Sequence, residues 1–416
     1  MTASGRGLRI SARWLFDGQN PPISDGAVLV EDGRITAAGP AGAVPSPPGT
    51  DALDLGDRAL LPGLIDAHLH LQGYRPGDPD WPDRAFLAMR AVADARHVLE
   101  SGFTTVRDCG SAHGIALRRA VEEGTVVGPR VLSSGPIISQ TGGHGDWREV
   151  PPEHVDALRD ERLVVDGPVA ARKAVRTAVR AGADLVKICT SGGVGTRGDH
   201  MNDAHFTPDE IEAMVDEAHR SGRRVAAHAQ GRDGVLNAVR AGVDSIEHGY
   251  FIDERCLDEM LAHGTALVPT FGLIRSFRAG GEDRPAWLRD KQQECVDAML
   301  RSFPMAVSAG VPIGTGSDNY GTPGRELGRS ADELVAMVED GGADPLDVLR
   351  SATSVGAQIL GVDHETGTLE PGKSADLVAV GGTPWTSIDA VREVDFVLAR
   401  GTVVTAPPVS PAITGS

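Results

Sequence analysis

The chain has 416 residues, enough for a barrel of roughly 250 residues plus a smaller unit. Its hydrophobic fraction of 41% and charged fraction of 24% place it among ordinary globular proteins rather than disordered or fibrous ones. A formal net charge of −18 argues against a phosphate backbone as its partner, and no run reaches the ~18 apolar residues of a membrane span.

The N-terminal stretch "MTASGRGLRISARWLFDG" lacks the apolar core of a signal peptide. The four cysteines, Cys109, Cys189, Cys256 and Cys295, show no paired spacing, so a reduced, cytoplasmic protein is expected. The first 55 or so residues read as short strands and turns. "GLRISARWLFDG", "GAVLVEDGRITAAG" and "DALDLGDRALLPG" alternate apolar and polar residues and break at glycine and proline. The C-terminal stretches "GTLEPGKSADLVAVGG" and "VREVDFVLARGTVV" have the same texture, followed by a loose tail, "APPVSPAITGS". The two ends are therefore expected to pair into one small β-sandwich domain, 1–58 with 364–416, around a central domain, 59–363.

The centre alternates strand and helix. Core strands are expected near 60–70, 103–109, 130–135, 184–189, 224–229, 244–248, 265–270 and 312–317. Helices are expected over "RAFLAMRAVADARHVLESG", "PVAARKAVRTAVRAG", "TPDEIEAMVDEAHRSG" and "RDGVLNAVRAG", several ending in the glycine that follows a helix C-terminus. Thr207 reads as a helix cap, with Pro208 in the first turn. Eight such units closing on themselves form an α/β fold of the (β/α)8 TIM-barrel class. Three connections, 72–85, 136–167 and 271–300, are longer than packing needs and read as loops that shape a site.

"LPGLIDAHLHLQG" ends an apolar strand with His68 and His70. Strand residues two apart share a face, so both imidazoles address the same space. Other strands end in chemistry as well: Lys187 lies in "ADLVKICTSGG", His228 in "RVAAHAQG", His248 in "DSIEHGY" and Asp318 in "VPIGTGSDN". Alone, a strand-end histidine is an ordinary hydrogen-bonded residue, Lys187 can snorkel to solvent, and Asp318 can cap a helix. Together they form the ligand set of a divalent-metal site at the barrel rim where active sites are built. His97, His219 and His263 lie on helical segments and are left out. His144, in "ISQTGGHGD", reads equally as a turn histidine or a substrate contact. Gln230 shares the inward face of His228, and Tyr250, Asn319 and Tyr320 lie near the rim. Arg275 and Arg278 can meet a substrate carboxylate or simply face solvent.

"PGLIDAHLH", "VKICTSGG", "AAHAQG", "SIEHG" and "GTGSDN", in this order, resemble the barrel motifs of the amidohydrolase superfamily, and "LEPGKSADLVAV" resembles its returning β domain. The nearest resemblance is to the imidazolonepropionase-like and Xaa-Pro dipeptidase-like branch. The resemblance implies two divalent ions, zinc first, with manganese, iron or cobalt as alternatives. His68, His70 and Asp318 would bind one, His228 and His248 the other. Lys187, carboxylated by CO2, would bridge them. It implies hydrolysis of a C–N bond, amide, peptide-like or cyclic, by metal-bound hydroxide, with Asp318 shuttling the proton and His144 gripping the substrate. The Xaa-Pro dipeptidase-like pattern has tyrosine where this chain has Gln230, which speaks against a simple proline-dipeptide activity. Hydrolysis of a cyclic imine, carbamate, ester or phosphoester is the alternative within enzymes, and a non-catalytic metabolite-binding relative the alternative outside them. A small-molecule substrate, no nucleic-acid or membrane partner, and a homo-oligomer are expected.

Overall fold

The structure is a computed structural model in which residues 7–75, 78, 83–146, 161–280 and 284–406 are described. The expected loops at 72–85 and 136–167 and the tail at 406–416 fall partly outside these residues. The strands are β1 Leu8–Leu15, β2 Ile23–Glu31, β3 Arg34–Pro40, β4 Asp51–Asp54, β5 Arg58–Pro62, β6 Leu64–Leu69, β7 Phe103–Asp108, β8 Arg130–Ser133, β9 Ile137–Ser139, β10 Arg162–Val164, β11 Leu185–Cys189, β12 Arg224–Ala229, β13 Ser245–His248, β14 Ala266–Val268, β15 Leu377–Gly381, β16 Val394–Ala399 and β17 Thr402–Thr405. The helices are α1 Arg84–Glu100, α2 Gly114–Glu122, α3 Pro168–Ala181, α4 Pro208–Arg220, α5 Arg232–Arg240, α6 Glu254–His263, α7 Phe271–Ala279, α8 Ala286–Ala309, α9 Ala331–Glu339, α10 Pro345–Ser351 and α11 Ser354–Leu360. Among the described residues no helix is long and apolar enough to cross a membrane.

The chain divides into two compact units. One is drawn from Met1–Ile65, Val98–Thr104 and Pro345–Ser416, the other from Asp66–His97 and Thr105–Asp344. In the first unit the two ends of the chain share one eight-stranded sheet, ordered β17-β16-β15-β5-β1-β2-β3, with β4 also paired to β1. β15 runs antiparallel to β5, with Leu377 opposite Pro62. The period-two pattern read in these segments puts Ile10, Val28, Val30, Leu60, Leu377, Ala379 and Phe396 into one apolar cluster.

The remaining strands form parallel sheets, and β6, β7, β11, β13 and most of β12 are buried, as strands covered by crossover helices are. One sheet has the order β10-β9-β11-β12-β13-β14, and a three-stranded sheet has the order β6-β7-β8. The four helices expected from periodicity appear as α1, α3, α4 and α5. α4 starts on a capping box, with Thr207 and Glu210 exchanging hydrogen bonds and Pro208 in the first turn.

The structure departs from the sequence reading in four places. The apolar run at 60–70 is two strands, β5 in the mixed eight-stranded sheet and β6 in the three-stranded one, broken at Gly63. The stretch 136–167 carries β9 and β10, and β9 rather than β8 borders β11. Among the described residues of 271–300, α7 and most of α8 stand where a loop was expected. The eighth strand is irregular. Residues 312–319 make isolated parallel bridges, Ile313 with Leu267 and Asn319 with Leu69. Ala67 N donates to Thr315 O at 2.8 Å and Asp318 N to His68 O at 2.6 Å. Among the described residues the two parallel sheets therefore stand as open ladders rather than one eight-stranded ring. Gly316 explains part of this irregularity. A Cβ there would lie 2.4 Å from Val268 and 2.7 Å from His68, so only glycine lets the chain pass so close.

Candidate active site

Five of the six sequence-picked metal ligands lie on or beside parallel strands, and the sixth, Asp318, follows the irregular eighth segment. All six belong to one unit. His70 Nε2 lies 3.2 Å from Asp318 Oδ1, and His68 Nε2 lies 3.7 Å from the same oxygen. Lys187 Nζ is 3.5 Å from His68 Nε2. The His248 ring centre lies 5.1 Å from that of His68 and 4.7 Å from that of His228. His144, from the β9 connection, stacks on His228 at 4.1 Å. Gly193 makes this possible: a Cβ there would sit 2.3 Å from the His144 ring.

Each imidazole is oriented by its other nitrogen. His68 Nδ1 meets Glu247 Oε2 at 2.6 Å, His70 Nδ1 meets Gly110 O at 3.0 Å, and His248 Nδ1 meets Thr270 Oγ1 at 2.8 Å. In these three Nε2 is left to face the site. In His228 Nε2 meets Gly192 O at 3.1 Å, leaving Nδ1. Burial, with the Lys187 charge beside it, brings His68 down to about 4. Burial likewise holds His228 and His248 well below the usual imidazole range. All three are neutral near pH 7, as cation ligands must be. Burial pushes the Asp318 carboxyl up, but Arg325 and the two neighbouring histidines outweigh it and hold it well below the carboxylate range. Arg325 donates to Asp318 Oδ2 at 2.8 Å and also to its carbonyl.

The sequence reading missed the layer beneath. Glu247 is fully buried and accepts from Arg107 Nη2 at 2.7 Å and Ser245 Oγ at 2.6 Å, besides His68. Burial alone would raise its carboxyl; Arg107 and His68 reverse this and keep it ionised. Asp66 accepts from the His68 and Ser317 amides and from Ser317 Oγ, tying β6 to the eighth segment. The signal was present. Asp66, Arg107 and Glu247 are charges inside strands otherwise read as apolar, and such residues stay buried only when paired.

The substrate-side candidates divide. Gln230 is buried, and Oε1 of its carboxamide has no hydrogen-bond partner. His144 is a quarter exposed, with Nδ1 3.0 Å from Thr196 Oγ1. Asn319 is buried beside Asp318, and the half-buried Tyr320 ring packs 4.0 Å from the Arg325 guanidinium. Tyr250 is fully buried, with its hydroxyl 3.1 Å from Thr270 Oγ1. Arg275 and Arg278 lie on α7 and pair with Glu339 and Asp340, so their charges are already neutralised. Of the histidines set aside, His219 pairs with Asp244 and His263 with Glu259.

The donor set fits a divalent cation. The nitrogens of His68 and His70 and a carboxylate oxygen of Asp318 lie within 4.8 Å of one another. Two imidazoles and a carboxylate suit zinc and its first-row neighbours. His68, Cys109 and Glu247 also lie within 4.8 Å of one another. There, however, burial pushes the Cys109 thiol up to about 12, and Glu247 already serves Arg107 and Ser245, so this triad is a poorer site.

Residues 59–405 match the Amidohydrolase family. The chain is 32% identical over 412 residues to the ochratoxinase of Aspergillus niger, covering 92% of this chain and 83% of that protein. It is 27% identical over 405 residues to the imidazolonepropionase of Rhizorhabdus wittichii, covering 85% and 88%. Among solved structures it is similar to a Xaa-Pro dipeptidase with methionine bound in the active site. There the TM-score is 0.88 and the identity 33%, covering 95% of this chain and 99% of that one.

Proposed function

The chain belongs to the amidohydrolase family and is a hydrolase acting on carbon–nitrogen bonds, and from that premise we propose that it cleaves a small-molecule amide with two divalent metal ions. The observation that carries this reading is the convergence of four histidines, Lys187 and Asp318, with Nε2 or Nδ1 of every imidazole left facing the others. His68, His70 and Asp318 would hold one ion, His228 and His248 the second. Lys187, carboxylated by CO2, would link them, since an ammonium cannot ligate a cation and a carbamate can. When bound, such ions, zinc first, would lower the pKa of a water and polarise the scissile carbonyl.

The protein's own residues do the rest. Asp318 accepts the water's proton on its carboxylate and delivers it to the leaving nitrogen. Arg325 holds that carboxylate toward His68 and His70 throughout. Glu247 fixes the Nδ1–H tautomer of His68. His144, Gln230, Asn319, Tyr320 and Tyr250 are assigned to the substrate side, with the partnerless Oε1 of Gln230 the clearest of them. In architecture, the two parallel ladders and the bridging segment 312–319 support a (β/α)8 barrel over 59–363, with 1–58 and 364–416 forming a β-sandwich domain. A cytoplasmic homo-oligomer acting on a small molecule completes the proposal.

A panel of dipeptides, N-acyl amino acids, cyclic amides and esters, each assayed before and after chelation, tests the reading. Chelator-sensitive hydrolysis of an amide supports it. Activity confined to esters or phosphoesters would replace it with the alternative electrophile, and activity indifferent to chelation would reject the metal.

A further inference from the structure

Thr270 follows β14 and opens α7. Its backbone is left-handed, with φ +52° and ψ +49°. A β-branched residue adopts this conformation rarely, and glycine or asparagine would sit there more easily. The surroundings enforce it: Glu333 of α9 accepts from the Gly272 amide two residues on, and Leu273 N donates to Thr270 O at 3.2 Å. What the strained residue contributes is a fully buried hydroxyl. Its Oγ1 lies 2.8 Å from His248 Nδ1 and 3.1 Å from the Tyr250 hydroxyl. The His248 backbone is itself left-handed, at φ +76°.

A neutral imidazole carries one N–H. If His248 is to offer Nε2 to a cation, its hydrogen must sit on Nδ1 and needs an acceptor there. The Thr270 oxygen is that acceptor, and it can take a second hydrogen from the Tyr250 hydroxyl while holding its place. Remove the hydroxyl, and Nδ1 faces a methyl group. The N–H then moves to Nε2, where it competes with the metal.

We propose that Thr270 is a positioning residue for the second metal: its hydroxyl, held by Tyr250, fixes His248 in the Nδ1–H tautomer and so leaves Nε2 to the cation. This rests on the two-metal reading above.

The test titrates metal-free protein with Zn2+ in competition with a chromophoric chelator, reading both dissociation constants. Circular dichroism and thermal unfolding of each metal-free variant accompany the titration. Thr270→Val keeps the shape and deletes the hydroxyl. One of its two ions should be held about 10–100-fold less tightly, the loss typical of removing such a ligand partner, while the other is unchanged. Thr270→Ser, which keeps only the hydroxyl, should return to within a few-fold of wild type, and Tyr250→Phe should fall between. If Thr270→Val does not fold, Thr270→Ala carries the same comparison. Wild-type constants for both ions in the hydroxyl-free variant would overturn the proposal. So would a serine variant as weak as valine, because shape rather than hydrogen bonding would then be at work. A wild type that binds a single ion overturns the two-metal reading and this inference with it, an outcome distinct from the other two.

Discussion

The sheet shared by the two chain ends buries Ile10, Val28, Leu60, Leu377 and Phe396, whereas the strands around the site bury Asp66, His68, Arg107, Glu247 and His248. The first region is stabilised by apolar area removed from water, at about 25 cal/mol per Å2. The second places charges where water cannot reach them, and each needs a partner to remain there. Buried positive-φ backbone gathers at the site, at His248, Thr270 and Asp318, whereas Asp25, Asp32 and Arg400 of the first region adopt it at exposed positions. One region can change volume and lose only stability. In the other, exchanging a single atom alters the chemistry with little change in volume.

Substitutions should separate the two regions. The largest effect is expected at Lys187. Lys187→Ala should abolish turnover and lose the second ion while the fold persists, and short carboxylic acids should restore part of the activity. Wild-type turnover in Lys187→Ala without such rescue would remove the carbamate from the account. Asp318→Asn keeps one ligating oxygen but cannot accept a proton. It should retain most metal and lose about 10²–10⁴ in kcat, measured on a sample of known metal content. In the other region, Phe396→Ala should cost about 3–5 kcal/mol in denaturant unfolding. Its kcat per folded molecule should stay at the wild-type value, and a fall in kcat matching that of Asp318→Asn would erase the contrast.

The smallest effect is a slope. Burial pushes the Glu333 carboxyl up to about 8, although backbone amides of α7 bond to it. An unfolded glutamate titrates near about 4.3, so between these values the folded state holds a proton that the unfolded state has released. The contribution of Glu333 to stability is therefore intact below about 4.3, declines as pH rises and is gone above about 8. Glu333→Gln has no such proton to lose. The melting temperature of the variant relative to wild type should climb from pH 5 to pH 8 and then level off. A constant difference across that range would mean that Glu333 is ionised in the fold throughout.

Much of this was legible in the sequence, for identifiable reasons. Helices α1, α3, α4 and α5 carry their own periodicity and end signals, and alternation in the terminal segments marks half-buried strands. The candidate ligands are legible because a histidine at the end of an apolar strand is chemically conspicuous. The break at Gly63 was not, since β5 and β6 are equally apolar and only their neighbours differ. Nor was the role of 271–300: a helix that buries Phe271, Leu273 and Ile274 on one side and pairs Arg275 and Arg278 with Glu339 and Asp340 on the other has no long periodic stretch to announce it. Glu247 and Arg107 lie about 140 residues apart in the chain, and nothing local links them before the strands bring them together. Thr270 was invisible for the same reason.

The central claim is that two ions, held by His68, His70, Lys187, His228, His248 and Asp318, drive cleavage of a carbon–nitrogen bond. Metal-free enzyme, supplied with bicarbonate and titrated with Zn2+ while hydrolysis of its amide substrate is followed, tests it most directly. The account predicts activity that rises to a plateau at about two equivalents per chain. A plateau of full activity at one equivalent would contradict it.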